Sequence, residues 1–174
     1  MTAQPATPHT GHTPASAGPV VTPERLGNDP DIATLTELLT RRALETPDAE
    51  FLRFEEHSWS FADIDTWTSK LAHRLIERDG VRPGDRVAIM LPNVVHWPVV
   101  WLAALKAGAV AVPINSSYRR ADLAFVLRDS GARVAFTDRE HADLFAEVVA
   151  ADLDLADLRV VDVAHDGSSS FPAV

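Results

Sequence analysis

The chain has 174 residues, 46% hydrophobic and 24% charged, with a net charge of −9 and no cysteine. That length supports one domain with a real core. The negative charge argues against a broad nucleic-acid or anionic-membrane surface, which needs a basic patch. The missing cysteine excludes disulfides, thiolate metal sites and a cysteine nucleophile, and a cysteine-free acidic chain points to the cytoplasm.

Residues 1–30 form a compositional zone of their own. Six of the twelve prolines fall there (Pro5, Pro8, Pro14, Pro19, Pro23 and Pro30), with no aromatic residue. Such a segment buries too little surface to offset the entropy of ordering, so a disordered tail is predicted, followed by a folded region over 31–174. The tail lacks the basic start and apolar block of a signal peptide. His9 and His12 have a spacing that could hold a metal, but a tail pair with no further ligand reads as polar filler.

The folded region opens with a capping-box pattern, Thr34-x-x-Glu37, ahead of Leu35, Leu38, Leu39, Ala43 and Leu44 at helical spacing. Then "AEFLRF" and "SWSF" alternate around the polar "EEHS", predicting a β-hairpin with His57 in its turn. A long helix is predicted from about Ala62 to Arg78, with Ile64, Trp67, Leu71 and Leu75 as its buried stripe. "DGVRPGD" is a turn cluster.

The most apolar stretch is "LPNVVHWPVVWLAALKAGAVAVPIN", Leu91 to Asn115. His96 and Lys106 interrupt it, and Pro98, Gly108 and Pro113 break it. The helical part is about 12 residues, or ~18 Å, too short to span a membrane. It predicts a helix over Val95–Ala107, with Asn93 as cap, Pro98 in the first turn and Gly108 as left-handed stop, then a short buried strand. Apolar residues lie all round this helix, which suits one sandwiched between layers.

The rest has a rhythm. "RVAIML", "AVAVPI", "RVAFTD" and "LRVVDVA" begin at Arg86, Ala109, Arg133 and Leu158, which are 23, 24 and 25 residues apart. Helical patterns fill the gaps at about Arg119–Ser130, closed by Gly131, and Arg139–Ala150. Continuous apolar strands alternating with helices predict βαβ units with right-handed crossovers. The fold class is therefore α/β, a parallel sheet flanked by helices and preceded by a helix and a β-hairpin.

Doubly wound sheets bind ligands at strand ends, yet the motifs of such sites are missing. No Gly-x-Gly-x-x-Gly follows the first strand, and neither a Gly-x-Ser-x-Gly elbow nor a Gly-x-x-x-x-Gly-Lys loop occurs. "DGSSS" at Asp166–Ser170 has one glycine and no following lysine, so it reads as a polar loop. His73 lies on a helix without an evident partner, His141 starts a helix and His165 is in the last loop. His96 reads as a helix-start residue, since no base–nucleophile or metal constellation can be assembled around it. Trp59, Trp67, Trp97 and Trp101 fit a core better than a stacking platform, because no basic groove accompanies them.

The segments "GDRVAIMLPN", "LAALKAGAVAVPIN" and "RDSGARV", in that order and spacing, resemble the start of the adenylate-forming (AMP-binding) superfamily. The resemblance covers about residues 31–165 and implies part of the N-terminal subdomain of the acyl-CoA synthetase fold. "VPINSSYRRADL" looks more like the acyl-CoA ligase branch than the peptide synthetases, although Ser116 departs from the proline common to both.

The resemblance implies a two-step reaction. A carboxylate attacks the α-phosphate of ATP, giving an acyl-adenylate and pyrophosphate, and the thiol of coenzyme A then displaces AMP. It implies ATP, Mg²⁺ and coenzyme A as cofactors and a fatty or other organic acid as substrate of the whole enzyme. The family's phosphate loop, Thr-Glu pair, ribose-binding Asp and catalytic lysine lie downstream of the matching region. No catalytic, cofactor-binding or metal-binding residue is therefore carried over to this chain. The last lysine is Lys106. The expectation is a chain inactive by itself, whether a truncated product, one chain of a split ligase or a non-catalytic scaffold domain. An unpaired strand edge, at the last strand or a neighbour, and exposed apolar helix faces are expected with it.

Overall fold

The computed structural model describes residues 34–163. The chain divides into Met1–Ala33 and Thr34–Val174, and every described residue belongs to the second unit. The predicted tail with His9 and His12, and the segment containing His165 and Asp166–Ser170, lie outside the described residues.

In chain order the elements are α1 (Leu35–Glu45), β1 (Glu50–Phe54), β2 (His57–Ser60) and α2 (Phe61–Glu77). Then come β3 (Arg86–Met90), α3 (His96–Lys106), β4 (Val110–Pro113), α4 (Arg120–Ser130), β5 (Val134–Thr137), α5 (Ala142–Ala151) and β6 (Arg159–Asp162). A single 3₁₀ turn at Leu153–Leu155 precedes β6.

Local chemistry sets the helix ends. The Thr34 hydroxyl accepts from the Glu37 amide at 3.2 Å, and the Glu37 carboxylate accepts from the Thr34 amide at 2.9 Å, completing the capping box read from the sequence. A second box starts α2: Asp63 N–H donates to Ser60 Oγ at 3.2 Å and Ser60 N–H to Asp63 Oδ2 at 3.0 Å. The alternation of "SWSF" hides this box, because Ser60 ends the strand and caps the helix at once. His57 is not in the hairpin turn. It opens β2 opposite Phe54, and Glu55 turns the chain with φ of 52°.

α3 departs from expectation at its start. Asn93 does not cap it, and no side chain does. The chain enters through a tight turn, with Val94 N–H on Pro92 O at 2.8 Å and Trp97 N–H on Val94 O at 3.0 Å. Pro98 in the first turn has no donor to satisfy, so fewer amides need a cap. The exit is as predicted: Gly108 has φ of +72°, and a Cβ there would meet Pro83 Cβ at 3.3 Å. Both conditions favour glycine. α5 starts three residues later than the periodicity suggests, because Asp138 holds the turn that precedes it.

The four parallel strands are ordered β4-β3-β5-β6. Alternate side chains of the central strands enter two cores. Val87, Ile89, Val134 and Phe136 face α2 and α3, while Ala88, Met90 and Ala135 face α4 and α5. The sheet is therefore sandwiched between helical layers, as a near-continuous apolar sequence requires.

"AVAVPI" was expected to form a buried strand. Instead β4 lies at an edge of the sheet, with Val110 52% exposed. Run composition reports apolarity but not strand order. Pro113 suits the edge, where the amide it lacks would point away from β3.

Side chains lock the layers. Lys106 Nζ donates to Asp65 Oδ1 at 2.7 Å, Ser69 Oγ at 2.9 Å and Asp65 O at 3.2 Å, and Thr40 Oγ1 donates to Asp65 Oδ1 at 2.9 Å. One carboxylate thus joins α1, α2 and α3. Trp59 is buried, and Trp67, Trp97 and Trp101 pack partly buried against the same core.

Candidate functional site

The strand order defines where a site could lie. From β3 the chain leaves along the first face, through α3, to β4 on one side. From β5 it leaves along the second face, through α5, to β6 on the other. The loops after β3 and β5 therefore diverge at the carboxyl ends of these neighbouring strands, where open parallel sheets leave a crevice. Such a switch point is where doubly wound sheets take ligands.

The polar groups at this end come from Asn115–Tyr118 after β4 and Thr137–His141 after β5. Asp138 is 3% exposed. Its Oδ1 accepts from the His141 backbone amide at 3.0 Å and lies 2.6 Å from His141 Nδ1. The other ring nitrogen, Nε2, lies 3.0 Å from the Ser116 carbonyl oxygen. The turn itself is closed by Ser117 N–H on Asn115 Oδ1 at 2.9 Å and Tyr118 N–H on Asn115 O at 3.0 Å. This is an Asp–His pair, but its ring is engaged at both nitrogens by protein oxygens, leaving no ring nitrogen for a substrate proton.

The opposite end of the sheet carries an Arg–Asp network around a polar groove. Asp79, whose side chain is fully buried, sits 2.7 Å from Arg159 Nε and 3.6 Å from Arg74 Nε. Arg86 donates to Ser130 O at 2.6 Å and Gly131 O at 2.8 Å. Arg128 pairs with Asp152 at 3.5 Å and Arg133 with Asp85 at 3.9 Å. Each cation already meets an acid or a carbonyl, so the network ties strands to loops instead of presenting an anion cradle.

The histidines singled out from sequence are dispersed. His57 stacks on Trp59 at the hairpin, His73 is exposed on α2, and His96 is buried at the first position of α3. His141 is the described histidine that lies in the polar cluster at the strand ends. Its place at the start of α5 is legible in the sequence, and its bond to the turn after β4 is not. The available signal was the Asp138-x-x-His141 spacing just beyond a strand.

Among the described residues no three His, Asp or Glu side chains converge as ligands for a cation. Asp138 Oδ1 and both ring nitrogens of His141 are engaged within the protein. With no third ligand beside them, these described residues do not fit Mg²⁺. No helix among the described residues is long and apolar enough to cross a membrane.

The fold and crevice define a doubly wound α/β scaffold, and comparison with known proteins narrows the class. The AMP-binding enzyme family matches residues 39–172, and the chain belongs to that family. The chain is 32% identical over 111 residues to the oxalate–CoA ligase of Arabidopsis thaliana, covering 63% of this chain and 22% of that protein. It is 35% identical over 132 residues to a feruloyl-CoA synthase of an Amycolatopsis species, covering 76% and 27% respectively. The fatty acyl CoA synthetase structure from Mycobacterium tuberculosis superposes with a TM-score of 0.66 at 26% identity, over 73% of this chain and 26% of that one. The fold is thus that of the acyl-CoA synthetases, and the chain spans between 22% and 27% of the length of these relatives.

Proposed function

We propose that residues 31–174 form the scaffold part of an ATP-dependent acyl-CoA ligase acting on a fatty or other organic acid in the cytoplasm, and that the 174-residue chain does not adenylate alone. The overall reaction would couple a carboxylate to the α-phosphate of ATP with release of pyrophosphate, and then exchange AMP for the thiol of coenzyme A.

The observation that supports the inactivity is that Lys106, the last lysine of the chain, is held between helices. Adenylate formation needs a cation free to meet charge developing on the phosphates. Lys106 has all three of its donors occupied, 12% of its side chain exposed, and a place between α2 and α3. Lys70, the other lysine, is exposed on α2. The arginines of the polar groove are likewise paired.

Acid-dependent pyrophosphate exchange tests this reading. The purified chain, given ATP, Mg²⁺ and a panel of aliphatic and aromatic carboxylic acids, is expected to stay at background. Exchange that rises with any of the acids would overturn it.

A further inference from the structure

We propose that His141 is a clasp that fixes the β4–α4 turn at the mouth of the switch-point crevice. Residues 115–118 hold their own shape through two hydrogen bonds to Asn115, both internal to the turn. Among the described residues, the hydrogen bond that joins this turn to anything outside it is the one between the Ser116 carbonyl and His141 Nε2. The turn also carries Tyr118, the single tyrosine of the chain, partly exposed.

The ring is itself held in place. Asp138 is almost fully buried and fixes both the backbone and the Nδ1 edge of His141. Asp138 Oδ1 and the Ser116 carbonyl both accept, so the two contacts form together on a ring that carries a hydrogen at each nitrogen. The pair bridges the loops of the two strands that flank β3, whose own loop leaves on the other face of the sheet. The mouth of the crevice is thereby set on one side by a removable side-chain bond, while the β3 loop on the other side is set by backbone. Breaking one bond frees a four-residue turn without disturbing the strands beneath it, which is the condition for local opening.

Amide hydrogen exchange followed by NMR on the whole chain tests the clasp. In His141→Ala, protection of the Ser117 and Tyr118 amides is expected to fall about tenfold, the order of one lost hydrogen bond, while Val87 and Ala135 in the central strands change less than about twofold. In His141→Gln, whose amide can donate to the Ser116 carbonyl, most of the protection is expected to return. Unchanged exchange at Ser117 and Tyr118, or a loss shared equally by Val87 and Ala135, would overturn the proposal. If His141→Ala does not fold, Asp138→Asn decides the matter. It keeps an acceptor for the His141 backbone amide and weakens the grip on the ring, so the same local loss is expected, and its absence would count against the clasp.

Discussion

Lys106 shows how one side chain can carry a large share of the packing. Its side chain is 12% exposed and that of its partner Asp65 25% exposed, and three acceptors match its three donors. Removing one member of a buried pair leaves the other without its counter-charge. Lys106→Met should therefore destabilise the protein by about 2 kcal/mol, below the ~3–5 kcal/mol of a fully buried pair because water still reaches Asp65. Urea unfolding would measure it, and a shift within error of zero would show the bond to be idle. In the sequence Lys106 stands out as a charge that interrupts an apolar run and as the last lysine, with no sign of its partners. Its partners lie 41 and 37 positions away in sequence, beyond any local pattern. Asp138 and His141 are the converse case, close in sequence, yet the Ser116 carbonyl that gives the ring its role is 25 positions distant.

Among the elements, α2 rests on the two-way Ser60–Asp63 cap and on Ile64, Leu71 and Leu75, all buried. Ser60→Ala should cost about 1 kcal/mol, the usual loss for an N-cap hydroxyl. Thermal or urea unfolding should register it, and a cost below about 0.3 kcal/mol would mean that the Asp63 carboxylate holds the turn alone. Most elements were legible because periodicity and punctuation agree: Gly108 and Gly131 both adopt positive φ after their helices, at +72° and +57°. The misjudged ends share a cause. Asn93, His57 and the start of α5 sit where a turn competes with a cap or a strand, and the outcome rests on hydrogen bonds that composition does not encode.

For the whole molecule, the strand order leaves β4 and β6 at the edges among the described residues. The two edges are unequal. In β4 the amides of Val110 and Ile114 turn inward to Asp85 and Ile89, so by alternation Ala111 and Pro113 face out, and Pro113 has no amide to offer. In β6 the amide of Arg159 turns inward, as does that of Val163 just beyond the strand. Among the described residues, Val160 and Asp162 therefore present unpaired donors and acceptors. The isolated chain should associate as its concentration rises. Val160→Lys should suppress that association without lowering the melting temperature, since an edge charge blocks strand pairing while leaving the sheet intact. Sedimentation velocity of both proteins would decide, and equal association in the two would exonerate β6.

The element types, the parallel βαβ rhythm and the family are legible along the chain, because they depend on local periodicity, on glycine and proline, and on the order of residues. Tertiary structure alone decided that β4 is an edge and not an interior strand, that Lys106 is spent between helices, and that His141 reaches the turn after β4. The first and last depend on which strand lies beside which, and the second on how α2 packs against α3; all three are set by long-range packing of apolar faces that each element presents alike in its own sequence.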